Sequence, residues 1–261
     1  MAHIREINAK TIWAFADVDD MLIASTRTAP ADGSVVAAVD GKGAVCGWLT
    51  PKQQQFLALL TAGSQVRIVL TTARTSTGVS QLTIPGICGA GQNTCYSIVS
   101  FGGRIIMPNG ESEPRFRELM AKGASDYKVL IDALCSGMTS YCSEHKIDAR
   151  VRVASDDGFG LFVSIKHNKR NLEEMAELHR VLKARLPEGF SLHFNGNFIA
   201  AMPPFLGKDK AVQWFMDNYV AADDLTIGLG DSHTDLPFMG LCDMAVTPTA
   251  SQIFSTLKKS L

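Results

Sequence analysis

Three short apolar runs, each breaking off into acid or hydroxyl residues, constrain this chain more than any other feature of its sequence. Thr11-Ile12-Trp13-Ala14-Phe15-Ala16 gives way to Asp17-Val18-Asp19-Asp20, Val66 to Leu70 to Thr71-Thr72-Ala73-Arg74, and Leu225 to Leu229 to Gly230-Asp231. Runs this short, apolar throughout and bounded by polar residues, read as strands buried on both faces, the pattern of a parallel sheet. The carboxyl ends of such strands share one edge, and that edge is where open α/β sheets bind ligands. Between the first two runs, Thr50-Pro51-Lys52-Gln53 supplies an N-cap, a first-turn proline and a capping Gln ahead of Phe56, Leu57, Leu59 and Leu60. A helix is therefore predicted to about Gly63, completing a strand-helix-strand unit. Ser34 to Val39 and Ala44 to Trp48 flank Asp40-Gly41-Lys42-Gly43, so the small-residue stretch Ser25 to Leu49 reads as a β-hairpin flap.

The middle of the chain differs in character. After Tyr96 to Val99 and Arg104 to Met107, Pro108-Asn109-Gly110 punctuates the chain, and mixed helix is expected from about Pro114 to Glu144. Val151 to Ser155 and Phe159 to Ile165 alternate around Asp156-Asp157-Gly158, a hairpin signal. An amphipathic helix, Asn171 to Leu186, and two short strands, Phe190 to Phe194 and Phe198 to Met202, lead to Pro203-Pro204. A helix from Asp209 to Tyr219 and the third apolar run then resume the sheet. The expectation is an α/β core of residues 1–108 and 203–261 into which an α+β module, 109–202, is inserted.

Composition narrows the function. With 25 Lys and Arg against 26 Asp and Glu and no block of like charge, nucleic acid is not the expected partner. No apolar run approaches the roughly 20 residues of a membrane helix. The opening residues, Met1 to Glu6, lack the apolar core and cleavage site of a signal peptide, which makes a cytoplasmic location the expectation. Six scattered cysteines without C-x-x-C spacing, and six histidines without H-x-x-x-H spacing, argue against disulfides and zinc. Arg150, Arg152, Lys166, Lys169 and Arg170 face only Asp156 and Asp157 nearby. That excess reads first as a solvated face and second as a contact for an anionic substrate.

The chemistry collects at the strand ends. Asp17 and Asp19 stand two apart, so if the extended geometry persists both carboxylates point into one pocket. Asp231 makes three acids, with Asp235 nearby, and Lys208 adds a positive charge. Such a hard oxygen set suits magnesium. Asp17-Val18-Asp19-Asp20-Met21-Leu22 resembles the D-x-D-G-T-L first motif of the haloacid dehalogenase superfamily of phosphatases, and Thr72 in Leu70-Thr71-Thr72-Ala73-Arg74 is similar to the strand-terminal threonine of its second. Lys208-Asp209-Lys210-Ala211 resembles the setting of the third-motif lysine, and Gly230-Asp231-Ser232-His233-Thr234-Asp235 the fourth motif, G-D-x-x-x-D. The four occur in order over residues 17–235, and Thr72 and Lys208 are 136 positions apart. In this superfamily a C2-type cap is inserted in that interval, in the branch of Cof-type, sucrose-phosphate, trehalose-phosphate and mannosylphosphoglycerate phosphatases. The chain departs from the pattern at Asp20 and Met21, where glycine and threonine are usual.

The resemblance implies a Rossmann-like core with a C2-type cap, and magnesium-dependent hydrolysis of a small phosphorylated metabolite, a sugar phosphate by the kind of cap. Asp17 is the implied nucleophile, forming an aspartyl-phosphate. Asp19 is the implied acid and base, a double role that calls for a pKa lifted by acidic neighbours. Thr72 and Lys208 are implied to hold the phosphate oxygens. Mg2+ would be held by Asp17, Asp19 through its carbonyl, and Asp231, with Asp235 either joining them or orienting a bound water and Lys208. A phosphomutase of the phosphomannomutase kind shares core and cap, and a catalytically impaired sugar-phosphate-binding protein is the reading that Asp20 and Met21 suggest.

Overall fold

The computed structural model describes residues 10–26, 28–63, 65–89, 92–93 and 95–260. Residues 1–9, inspected above for a leader, lie outside them. The chain divides into two compact units, Met1–Glu113 with Lys208–Leu261, and Pro114–Gly207.

The first unit is built on β1 (Ile12–Ala16), β4 (Val66–Thr71), β7 (Tyr96–Val99), β8 (Arg104–Ile106), β13 (Leu225–Leu229) and β14 (Met244–Val246), a six-stranded sheet ordered β14-β13-β1-β4-β7-β8. All pairs are parallel except β7 with β8. Every residue of β1 from Trp13 to Ala16 is buried, as its uninterrupted apolar run requires. On one face Ala14 and Ala16 join a cluster with Leu22, Ile23, Leu49, Leu57 and Leu70. On the other, Trp13, Phe15 and Tyr96 meet Phe215 edge-on at ring separations of 5.3, 5.7 and 5.1 Å. Phe215 belongs to α5 (Lys208–Tyr219), the helix that begins with Lys208.

Smaller elements complete this unit. β2 (Val35–Val39) and β3 (Val45–Leu49) form the expected antiparallel hairpin. Ala24 and Trp48 exchange backbone hydrogen bonds of 2.7 and 3.0 Å, which tie this flap to the chain leaving Asp20. Thr50 and Gln53 make the predicted capping box at the start of α1 (Pro51–Thr61). Elements without a strong periodic signal went unread in the sequence: α2 (Ser76–Ser80), the two-residue strands β5 (Cys88–Gly89) and β6 (Gln92–Asn93), β14, α6 (Leu236–Met239) and α7 (Gln252–Ser260).

The second unit has α3 (Pro114–Glu144), β9 (Ala149–Asp156), β10 (Phe159–His167), α4 (Leu172–Ala184), β11 (Ser191–Asn195) and β12 (Phe198–Met202). Its sheet is antiparallel, in the order β11-β12-β10-β9. Ile131, Leu134 and Met138 of α3 and Leu178, Val181 and Leu182 of α4 pack on Val163, Ile165, Ile199 and Ala201. The expected mixed helix is one continuous helix of 31 residues, and its Gly123 is a contact point where a Cβ would fall 2.5 Å from the Phe205 ring.

The units part at 113/114 and 207/208, five residues beyond the punctuation at 108/109 and 202/203. The turn after β8 explains the first shift, because Met107 N donates to Glu111 O and Glu113 N to Ile105 O, holding 107–113 with the first sheet. At the second, Phe205 stays with the 114–207 unit, against Gly123 and Tyr127. No helix among the described residues is long and apolar enough to cross a membrane.

Candidate active site

Parallel pairing sets the strand ends level. Ala16 is in register with Leu70 on one side and Leu229 on the other, so Asp17, Thr72 and Asp231 all emerge within two residues of the same line. Asp17 N still donates to Leu229 O at 2.8 Å, which extends the ladder just far enough to fix the first acid. There the strand stops. Leu22 N and Ile23 N both donate to Val18 O, so the chain turns sharply, and Asp20 takes a left-handed φ of 61°. This is the position where the family pattern has glycine, and Asp is among the few residues with a side chain that tolerate such a backbone. Its Oδ1 accepts from Ser25 N at 2.9 Å, steadying the turn. Met21, in place of a hydroxyl residue, is buried in the apolar cluster.

Lys208 lies at the centre of the charged group. Its ammonium donates 2.7 Å hydrogen bonds to Oδ1 of both Asp17 and Asp235, and all three side chains are buried. Carboxylate oxygens of Asp17, Asp231 and Asp235 lie within 4.8 Å of one another. Burial raises the Asp17 pKa well above the usual carboxylate range; Lys208 pulls it back, while Asp235 and Asp19 push with burial. The Asp231 carboxyl is pushed up to about 7, by burial first and then by Asp235 and Asp20. Lys208 moves upward, since Asp17 and Asp235 outweigh the burial that would discharge it. Asp235 has both oxygens engaged: Oδ2 accepts from Ser232 N at 3.1 Å, Ser232 Oγ at 2.8 Å and Asp231 N at 3.3 Å.

Asp19 is where the structure corrects the sequence reading. Because the strand ends at Ala16, the extended geometry that would have aimed Asp19 beside Asp17 does not persist, and its carboxylate is absent from the Asp17, Asp231, Asp235 cluster. Arg74 holds it instead, Nε donating to Oδ2 at 2.7 Å and Nη2 to Oδ1 at 2.6 Å, and Ser25 Oγ adds a short hydrogen bond. Burial alone would raise its pKa, but these donors favour the anion and bring it below the ordinary value, the reverse of the expected lift. Arg74 and Ser25 are thus site residues that spacing did not disclose, for Arg74 stands 55 positions from Asp19. Thr72 is buried at the end of β4, its Oγ1 accepting from Arg74 N at 3.1 Å. His233 turns to Thr256 Oγ1 at 2.8 Å.

The fold is shared with phosphatases of known structure. The C-terminal domain of trehalose-6-phosphate phosphatase from C. albicans aligns at TM-score 0.59 and 13% identity, covering 88% of this chain and 73% of that one. Sucrose-phosphatase from Synechocystis, solved with sucrose and phosphate, aligns at 0.56 and 13%, covering 96% and 88%. An IMP-nucleotidase from Plasmodium falciparum gives 0.57 and 12%, covering 96% and 68%. No protein-family model matches the sequence, and neither does any curated protein. The fold of the chain is thus that of haloacid dehalogenase-type phosphatases, in line with its four motifs.

Proposed function

We propose that this protein is a magnesium-dependent phosphatase that hydrolyses a small phosphorylated metabolite, a sugar phosphate being the favoured class, through an aspartyl-phosphate on Asp17. The observation that carries the reading is the buried Asp17–Lys208–Asp235 bridge with Asp231 beside it at the strand ends. Three carboxylates facing one ammonium leave an excess of negative charge, and burial first, with the neighbouring carboxylates adding to it, raises the Asp17 and Asp231 pKa values. A hard divalent cation fits such a donor set. Asp17, Asp231 and the backbone carbonyl of Asp19 would hold it, while Asp235, already engaged on both oxygens, holds Lys208 and the 231–232 turn. When bound, Mg2+ neutralises charge on the phosphate and keeps Asp17 ionised.

The chain's own residues then divide the work. Asp17 attacks phosphorus in line, and Lys208, fixed by its two carboxylates, faces the phosphoryl oxygens on which charge accumulates. The Thr72 hydroxyl donates to another of those oxygens. Asp19 handles the leaving-group proton and then takes one from the attacking water. In the free protein Arg74 and Ser25 keep it anionic, which suits the second step, and protonation for the first requires that grip to loosen. Asp20 supplies the left-handed turn that glycine provides in the family pattern, which argues for a working rather than an impaired loop.

The 114–207 unit is taken as the C2-type cap that reads the rest of the substrate. Six free cysteines agree with a cytoplasmic enzyme. A screen of phosphorylated metabolites with and without magnesium tests the proposal: release of inorganic phosphate over many turnovers, without a bisphosphate primer, is expected, and a primer requirement would point to the mutase. Binding of these esters without turnover would point to the non-catalytic reading.

A further inference from the structure

The first unit has a cavity of about 300 Å3 at the rim where its parallel strands begin, opposite the edge that carries Asp17, Thr72 and Asp231. The end of α1, the first residues of β4, the turn at Ile87 and the start of β7 wall it. β4 is six residues long, so about 17 Å of strand separate this cavity from Thr72. Its floor is apolar. Ile68, Ile87 and Cys95 are buried, and burial pushes the Cys95 thiol up to about 12, which keeps it neutral. A second cavity of about 330 Å3 shares Thr61 and Gly86 with the first and runs on past Leu57. The two make a trough beside α1, a shape that suits an extended alkyl chain better than a flat ring.

The mouth is of another kind. Arg67 lines the cavity and is exposed, with its guanidinium 5.9 Å from the centre of the Trp13 ring. Among the described residues it has no ion pair, and the hydroxyl of Tyr96, which also lines the cavity, has no hydrogen-bond partner. The acids that precede β13 at this rim are committed: Asp223 is paired with Lys10, and Asp224 accepts from Thr11 N at 3.1 Å and Trp13 Nε1 at 3.0 Å. A cation is thus left beside an apolar hollow. One guanidinium balances one negative charge and meets a carboxylate fork to fork, whereas a phosphate monoester would bring a second charge with nothing to match it.

We infer that this cavity is a binding site for a monocarboxylate with an alkyl tail, the carboxylate on Arg67 and the tail over Ile68 and Ile87. The site stands apart from the proposed phosphatase chemistry and does not depend on it. Octanoate and its uncharged counterpart octan-1-ol are the probes, titrated calorimetrically into the purified full chain in chelator. Octanoate should saturate one site and bind at least about fivefold more tightly than octan-1-ol, the difference that one exposed charge pair supplies. Arg67→Gln should remove that advantage and leave octan-1-ol within about twofold; because Arg67 is exposed, the variant should unfold with the wild-type midpoint. Asp17→Asn should bind octanoate within about twofold of wild type, since the strand-end acids lie at the other edge. Octan-1-ol binding as tightly as octanoate, octanoate binding undiminished in Arg67→Gln, or no saturable binding at all overturns the inference. So does loss of octanoate binding in Asp17→Asn, which would move the ligand to the strand-end acids.

Discussion

The two sheets of this protein solve opposite problems. The parallel sheet of the first unit is buried on both faces along β1, so side chains with chemistry have room only where its strands run out. The antiparallel sheet of the second unit is covered by helices on one face, and its polar residues lie along the strands on the other. Strand-end residues are therefore locked by backbone pairing and by one another, as Lys208 is between Asp17 and Asp235, while face residues such as Arg150 and Arg152 stay exposed. Damage to chemistry should be large and specific in the first unit, and damage in the second should fall on stability or selectivity.

The strongest attempt to break this contrast is Asp17→Asn. An amide cannot serve as the nucleophile, so turnover should fall at least about a thousandfold while circular dichroism and unfolding stay those of a folded protein. Retention of a tenth of wild-type phosphate release, with contaminating enzyme excluded, would remove Asp17 from that role.

Metal dependence comes next in size. Chelator should abolish activity and magnesium restore it, with calcium a poor substitute because it accepts looser, higher coordination. Asp231→Ala should raise the magnesium concentration for half-maximal rate by about tenfold or more, a loss of the order seen when a metal site is disturbed. Full turnover of chelator-treated wild type would contradict the ion's role.

The reverse experiment uses the second unit. Gly123→Ala presses a methyl group into Phe205 and should destabilise that unit by about 1–3 kcal/mol in denaturant titrations, the usual cost of overpacking. The folded fraction should still hydrolyse p-nitrophenyl phosphate at near the normal rate. A kcat loss comparable with that of Asp17→Asn would show that the two units do not divide chemistry from stability.

The smallest effect expected is on stability against pH in the metal-free protein. Asp231 has a folded pKa of about 7, against about 3.9 unfolded, so the folded state holds its proton more tightly. Its contribution is complete below the unfolded pKa and is lost as pH climbs through the folded one. The Tm of wild type in chelator should therefore decline between about pH 4 and pH 7 relative to Asp231→Asn, which carries no such proton. Parallel Tm curves for the two proteins would refute the raised pKa.

How much of this was readable beforehand follows from the same contrast. Asp17, Thr72 and Asp231 stood out because each follows closely on an apolar run, where local pattern and chemistry coincide, and Lys208 and Asp235 through the motifs they resemble. The Asp19 environment did not, because its partners Arg74 and Ser25 reach it through folding rather than spacing, and because the strand stops one residue before Asp17. Pro114 to Glu144 read only as mixed helix, whereas α3 is continuous; at its Gly123 the missing side chain is space for Phe205, a tertiary fact with no sequence signature. β14 was unreadable for a third reason: its three residues are all exposed, so no burial pattern marked them.

The ring packing behind β1 has a mechanical consequence. Lys208 and Phe215 are seven residues apart on α5, about two helical turns, and so share a face of the helix. Trp13, Phe15 and Tyr96 clamp Phe215 and so act as an end-stop for the helix that delivers the ammonium. Trimming one of those rings would work like removing a shim: no charged residue changes, yet the cation is set down at a different height. Trp13, with its indole seated against that stop, is a built-in optical gauge of whether the helix has been driven home.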